Sequence, residues 1–374
     1  MPVAPEGLAT QGGVMFKGFV VKAFLAVTLL LAACGTKSET EGAAKKISVI
    51  AVTYPQYDWL KNVLGERADS VDLKLLIKNG ADLHSYQPSA QDIAAIAGAD
   101  MVVYVGGESD EWIEKALAAT PKEGRVQINL MEALGDRVKE EEVVEGMEHH
   151  HEHGDPSASS GAEEHHEHVE EHVHEHHEHA EATSEHHHHD EEEEVENDEH
   201  IWLSLKNAEI LVKALAESIA KLDTAHAAEY HMNAALYIAK ISALDAQYRA
   251  TMENATLKTI LFGDRFPFRY LVDDYGIKYY AAFVGCSAES EASFETITFL
   301  AGKMDSLALP AIFTIDGSDG KIARAILDAS KKSKNAEVLM LNSMQSVKDE
   351  QIKAGADYLS IMRDNLEVLK KAIK

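Results

Sequence analysis

Residues 207–254, NAEILVKALAESIAKLDTAHAAEYHMNAALYIAKISALDAQYRATMEN, decide the fold. They carry a helical pattern with one pause, near Asp223. Beyond the pause, Tyr237, Ile241, Leu244 and Tyr248 recur at i, i+4, i+7 and i+11, which makes one helix face apolar. Aromatic residues at that spacing pack a core far more often than they hold a cofactor, and the stripe is assigned to packing. A helix over 225–253 is roughly 40 Å long at about 1.5 Å per residue. It could run between two lobes as a stiff backbone, which favours small movements over wide hinge closure.

On both sides of this helix, short apolar runs alternate with helical segments. Upstream, 49–53, 73–77, 101–105 and 126–130 read as strands, and 57–64, 90–97 and 111–119 as helices. Ser89 and Asp92 have capping-box spacing, Gly98 ends that helix and Pro121 stops the next. Downstream, strands are expected at 259–263, 279–284, 311–315 and 338–341. Helices are expected at 267–275, 292–305, 319–332 and 346 to the end. Such alternation builds parallel sheets. The expected fold is therefore α/β, with two parallel-sheet lobes at 47–222 and 255–374 joined by one long rigid helix at 223–254. With 374 residues and 45% apolar content, the chain can fill both cores.

The formal net charge of −28 is concentrated in one place: residues 140–199 hold 24 Asp or Glu and no Lys or Arg, leaving −4 for everything else. This segment has no periodic apolar face and reads as a disordered acidic loop inside the first lobe. With no basic stripe to neutralise phosphates, a nucleic-acid partner is excluded. At the other end of the scale stand two cysteines, Cys34 and Cys286, too few and too differently placed for a disulfide framework. Phe16-Lys17 and Lys22 precede the apolar run 23–33, a basic region and short hydrophobic stretch of secretory type. Met15 is an alternative start. Leu31-Ala32-Ala33-Cys34 resembles a bacterial lipobox, which implies cleavage after residue 33 and a lipid on Cys34. The polar stretch 34–46 then reads as a tether. A plain signal peptide followed by an accidental cysteine is the competing reading.

Histidine is the strongest single signal. Sixteen of the 20 histidines fall in the acidic loop: His149, His150, His151, His153, His165, His166, His168, His172, His174, His176, His177, His179, His186, His187, His188 and His189. Neutral imidazole ligates zinc, copper and nickel, and His-rich tracts are usually metal-binding. The surrounding carboxylates attract cations, so the loop reads as an auxiliary collector or a zinc-level sensor. Of the other four, His226 and His231 are five apart on a helix and read as surface residues. His84 lies in Gly80-Ala81-Asp82-Leu83-His84-Ser85-Tyr86-Gln87-Pro88-Ser89, a loop between a strand and a capped helix. His200 lies in Asp198-Glu199-His200-Ile201-Trp202-Leu203, where regular pattern resumes. In α/β lobes, loops at the carboxyl ends of strands form the ligand crevice.

At these segments the chain resembles the zinc and manganese solute-binding lipoproteins of bacterial ABC importers. The matching motifs are Val52-Thr53-Tyr54-Pro55-Gln56-Tyr57, Gly80 through Ser89, Asp198 through Leu203, Tyr270-Leu271 to Tyr275-Gly276-Ile277, and Ser287 through Ser293. The resemblance spans 47–374 and implies a metal in the cleft between lobes, with His84 and His200 as first-lobe ligands. It also implies an ABC permease and its ATPase as partners, a monomer, and a place outside the cytoplasmic membrane, held there by the lipid anchor. The second lobe departs from the pattern: Arg265 stands at the expected third-ligand position and Asn342 at an expected acid. Asp264 becomes the third candidate, with Glu289 and Asp316 as further carboxylates at strand ends. Two imidazoles and a carboxylate suit Zn²⁺; Mn²⁺ prefers more oxygen, and Ni²⁺ and Cu²⁺ also take imidazole. A surface adhesin or metal sponge without transport is one alternative. A zinc hydrolase is disfavoured, because the chain has no HExxH, no Gly-x-Ser-x-Gly and no phosphate loop.

Overall fold

The computed structural model describes residues 46–147, 196–287 and 291–373. The lipobox with Cys34, the sixteen loop histidines and Glu289 lie outside the described residues. The first lobe contains β1 (Ile47–Ala51), α1 (Tyr54–Leu64), β2 (Val71–Leu75), α2 (Ala90–Gly98), β3 (Met101–Tyr104), α3 (Glu111–Ala119), β4 (Val126–Asn129) and α4 (Leu130–Leu134). After the acidic insertion come α5 (Leu205–Leu222) and α6 (Ala227–Glu253). The second lobe runs β5 (Thr259–Phe266), α7 (Arg269–Tyr275), β6 (Lys278–Val284), α8 (Phe294–Leu307), β7 (Ala311–Ile315), α9 (Lys321–Ala329), β8 (Glu337–Leu341), α10 (Asp349–Lys353) and α11 (Tyr358–Ala372). The strand orders are β2-β1-β3-β4 and β6-β5-β7-β8, and every pairing is parallel. The two lobes thus repeat one topology without sharing a recognisable sequence repeat.

Several boundaries shift for local reasons. Helix α1 starts at Tyr54, because Thr53 and Gln56 form a capping box and Pro55 suits the first turn. It ends at Gly65, whose φ of +56° and 2.6 Å approach of a would-be Cβ to Asn233 Nδ2 of α6 both favour glycine. Strand β5 runs on to Phe266, with its pairing to β6 shifted between Phe262 and Arg265. The expected last helix divides into α10 and α11 at Gly355, where φ is +94°. The predicted caps at Ser89 and Asp92 are present.

Helix α6, 27 residues long, ties the lobes together. Its stripe of Tyr237, Ile241, Leu244 and Tyr248 is buried. Tyr237 Oη donates to Asp58 Oδ2 on α1 at 3.1 Å, Tyr248 Oη to the Met362 carbonyl on α11 at 2.6 Å, and Tyr275 Oη on α7 to Asp245 Oδ1 at 3.0 Å. The rings of Tyr248 and Tyr275 stack 4.9 Å apart. Helix α11 also reaches the first lobe, with the Tyr358 and Trp59 rings edge-on at 5.2 Å and the Tyr358 amide donating to Asp58 Oδ2 at 3.2 Å. One apolar cluster consequently runs from Val49 through α6 to Ile373, and a smaller one lies beneath α8 and α9. A core shared in this way resists lobe separation, since opening it would expose apolar area worth about 25 cal/mol per Å².

Asp58 sits at this junction, and burial pushes its carboxyl up to about 6 although Tyr358 and Tyr237 donate to it. Because the folded value lies above the ordinary 3.8, ionising the group costs stability. The cost is absent well below pH 4, grows as pH rises towards 6 and is complete above that, reaching on the order of 3 kcal/mol. Asp58→Asn keeps an acceptor and removes the charge. Thermal melts should therefore show a smaller gain in midpoint between pH 7 and pH 5 for this variant than for wild type; equal slopes would contradict the assignment. Asp58→Ala should lose about 2–3 kcal/mol at pH 5, by leaving the Tyr237 hydroxyl and the Tyr358 amide without a buried acceptor, and about 1 kcal/mol less at pH 7, where it also removes the cost of ionising Asp58.

Candidate metal centre

The carboxyl ends of both sheets supply the loops that meet in the cleft. His84 follows β2, Ser109 follows β3, Cys286 follows β6 and Gln345 follows β8, while His200 stands just before α5. His84 Nε2 and His200 Nε2 lie 3.1 Å apart. His200 is fully buried and the His84 side chain is 5% exposed.

Each ring is held from behind through its other nitrogen. His200 Nδ1 lies 3.0 Å from Asp198 Oδ1, and the same oxygen accepts the His200 backbone N–H at 2.8 Å. A carboxylate only accepts, so His200 carries its proton on Nδ1 and turns the Nε2 lone pair towards His84. His84 Nδ1 is 2.8 Å from Ser109 Oγ and 3.6 Å from Glu199 Oε2. Gln345 completes the pattern, its amide nitrogen lying 2.9 Å from His84 Nε2 and 2.7 Å from His200 Nε2. Both imidazole lone pairs thus converge on one point, the arrangement a cation relieves. Burial, and then the neighbouring His200, push the His84 imidazole down to about 3, so it stays neutral and able to ligate at ordinary pH.

From the second lobe, Cys286 brings its thiol into the group: one ligand atom each from His84, His200 and Cys286 lie within 4.8 Å of one another. The Cys286 backbone N–H donates to Glu141 Oε1 at 2.8 Å. Burial, and then the charge of Glu141, push the thiol well up, and burial raises the Glu141 carboxyl too. Glu199 accepts the Ser109 backbone N–H at 2.7 Å, its Oε2 is buried without a hydrogen-bond partner, and burial raises its carboxyl. A cavity of about 810 Å³ opens over His84, Ser109, Glu199 and Cys286, with Glu108, Glu111, Glu114 and Glu196 on its walls. The acidic insertion is rooted here: its two ends pair through Glu141 N to Glu196 O and Asp198 N to Lys139 O, both 2.8 Å.

The structure brings His84 and His200 together and leaves Asp264 outside the group. Asp264 Oδ1 accepts the Arg265 backbone N–H at 3.0 Å, and the residue lines a separate depression with Gly80, Asp82 and Asp316. The Arg265 side chain is committed to an ion pair with Asp82. Against the cost of burial, that guanidinium holds the Asp82 carboxyl below its usual range. Asp316 accepts from Ser343 and Ser346 and shapes the loop after β8. Asn342 serves the same loop, its side chain accepting the Met344 N–H; Gln345, three residues on, faces the imidazoles instead. His226 bonds Asp223 at 2.8 Å before α6, and His231 is exposed. Cys286 and Gln345 were missed from sequence, although each lies just beyond a parallel strand at its carboxyl end.

A family model described as zinc-uptake complex component A, periplasmic (ZnuA), matches residues 49–372. The zinc-binding lipoprotein AdcA of Streptococcus pneumoniae is 29% identical over 347 residues, which cover 92% of this chain and 58% of that protein. The chain therefore spans somewhat over half the length of that relative. The high-affinity zinc uptake system protein ZnuA of Bacillus subtilis is 28% identical over 348 residues, covering 92% of this chain and 94% of that one. Among solved structures, the Zn(II)-bound ZnuA-like domain of S. pneumoniae AdcA superposes with a TM-score of 0.61 at 25% identity, covering 88% of this chain and 99% of the domain.

Gly285 tests how closely the His200 ring must be seated. A Cβ there would lie 3.1 Å from His200 Cε1, 3.2 Å from Nδ1 and 2.9 Å from the Phe266 carbonyl oxygen. Gly285→Ala should push the ring off Asp198 and weaken zinc binding by about tenfold or more, the usual effect of losing a ligand's orienting partner. Chelator competition measures this, with a thermal melt showing that the fold persists; unchanged affinity would mean that His200 is not held as described.

Proposed function

This chain belongs to the ZnuA family of periplasmic zinc-uptake components, and we propose that it is the extracytoplasmic zinc-binding component of an ABC importer. It captures the ion between the lobes at 47–222 and 255–374, which flank the linker at 223–254, and hands it to the permease that the ATPase drives. The observation that carries this reading is the pair of buried imidazoles whose Nε2 atoms converge at 3.1 Å. Nitrogen donors suit Zn²⁺ better than Mn²⁺, which prefers oxygen.

The chain acts as a monomer. Residues 1–33 are removed as a signal peptide, and lipid on Cys34 holds the protein to the outer face of the cytoplasmic membrane through the tether at 34–46. Among the described residues no helix is long and apolar enough to cross a membrane. The His-rich insertion acts as a low-affinity collector: its stem opens beside the cavity, where Glu196 lines the wall. Family members are solute-binding proteins, and retention of the ion rather than turnover is the expected behaviour here. The continuous core limits loading to local movement of the cleft loops, and the permease reads that movement.

Isothermal titration calorimetry after exhaustive dialysis provides the test. Wild type should show one tight zinc site and several weak ones, without hydrolytic turnover. His84→Ala and His200→Ala should each weaken the tight site by at least a hundredfold, because every lost ligand also leaves its partner unmatched. Deleting 148–195 should remove the weak sites and keep the tight one. If the tight site vanishes with the insertion, the loop supplies a primary ligand and the cleft assignment fails.

A further inference from the structure

We propose that Cys286 is the third protein ligand of the cleft, making it a two-imidazole, one-thiolate site for a thiophilic ion such as Zn²⁺ rather than an oxygen-rich one. This deepens the zinc-carrier reading and rests on His84 and His200 as ligands. Three observations carry it. First, the Cys286 sulfur and one nitrogen from each imidazole lie within 4.8 Å of one another. Around a tetrahedral ion with Zn–N near 2.1 Å and Zn–S near 2.3 Å, such donors sit roughly 3.3–3.6 Å apart, so the thiol needs to move by only about an ångström. Second, the other second-lobe candidates are committed elsewhere: Arg265 pairs with Asp82, and Asp264 lines a different depression. Gln345 is neutral and presents its amide nitrogen to both rings, while its Oε1 accepts from Ser343 Oγ at 3.1 Å. Among the described residues, Cys286 is the ionisable side chain that the second lobe contributes to the group.

Third, the position is built. The Glu141 carboxylate fixes the Cys286 backbone N–H at 2.8 Å, and Gly285 leaves the space that lets the His200 ring lie against this turn. Cys286 also lines the cavity, so an ion arriving from solvent reaches the sulfur and the His84 ring from the same side. On coordination the S–H bond breaks, a Zn–S bond forms and the proton leaves to solvent; no electron is transferred. A thiolate donor selects zinc or Cu(I) over manganese, magnesium and calcium.

Cobalt(II), which occupies zinc sites and is spectroscopically visible, provides the first test on the full chain. Wild type loaded with one equivalent should show a near-ultraviolet thiolate-to-cobalt absorption band. Cys286→Ser should lose the band and weaken zinc retention by about tenfold or more, while Cys286→Ala, with a melt to confirm folding, guards against a serine-specific defect. The second test needs no variant: one equivalent of zinc should slow iodoacetamide alkylation of Cys286 at least tenfold, read by peptide mass spectrometry. Manganese should not protect it. No band, together with equal alkylation rates with and without zinc in a protein that still binds zinc through His84 and His200, would overturn the proposal and leave the carrier reading intact. Undiminished zinc binding in both histidine variants would instead overturn the carrier reading itself.

Discussion

Two imidazole nitrogens held 3.1 Å apart with their lone pairs converging are a constraint that the rest of the molecule serves. Neither ring can satisfy the other while both lone pairs face inward, so an external donor or a cation must do so. Without metal the Gln345 amide donates to both. The rings keep this orientation because Asp198 and Ser109 hold their far nitrogens. Those supports are anchored in turn. The Tyr270 hydroxyl of the second lobe donates to the Asp198 carbonyl at 2.8 Å, and Trp202 Nε1 donates to the Ser343 carbonyl at the same distance. Tyr358 Oη closes the circuit on the Trp202 carbonyl at 2.7 Å. First-lobe ligand geometry thus depends on hydroxyls and carbonyls of the second lobe, which is why the shared core around α6 matters to binding.

Behind the rings lies a layer of acids that is costly in the absence of a cation. Burial, and then Glu199, push the Asp110 carboxyl up to about 7, even though the Val105 and Gly106 amides donate to it. Glu199 and Glu141 are raised by burial as well. Buried carboxylates are normally tolerated only when paired or when they neutralise a metal. Here Glu199 lies against His84 and Glu141 against the Cys286 turn instead of against basic side chains. The Arg265 guanidinium is spent on Asp82, which also caps the turn carrying His84 by accepting its N–H at 3.0 Å. What stood in the sequence as a misplaced ligand is in the structure the positive partner that orders the His84 loop.

This shows where sequence reasoning reached and where it stopped. Period-2 and period-3.6 patterns report burial along one segment, so the two parallel sheets and the long helix with its tyrosine stripe were legible. His84 and His200 stood out as histidines outside the acidic tract, the resemblance implied them as ligands, and the structure brings their Nε2 atoms to 3.1 Å. Cys286 and Gln345 were not, because their role depends on a neighbour more than fifty residues away in sequence and gives no local period. In the sequence Cys286 reads only as an unpaired thiol, and Asn342 stands where the resemblance expects an acid. The turn after β8, tied by Asp316, swings Gln345 inward instead. Asp264 failed to join the group for a similar reason: the register shift between Phe262 and Arg265 is a property of the β5–β6 pairing, not of either strand alone.

The insertion illustrates how so long an interruption can be carried without loosening the site. Its ends are pinned by an antiparallel bridge between Glu140 and Asn197, next to Glu141 and Asp198, which contact Cys286 and His200. Closing a flexible loop costs only about 0.6 kcal/mol more for each doubling of its length, so once the stem is paired the length is nearly free. Composition can then vary for function while the geometry at the stem is preserved. The acidic walls of the cavity, with Glu108, Glu111 and Glu114 near the stem, create a field that raises the local concentration of cations. An acidic tract attached at that mouth strengthens the same field.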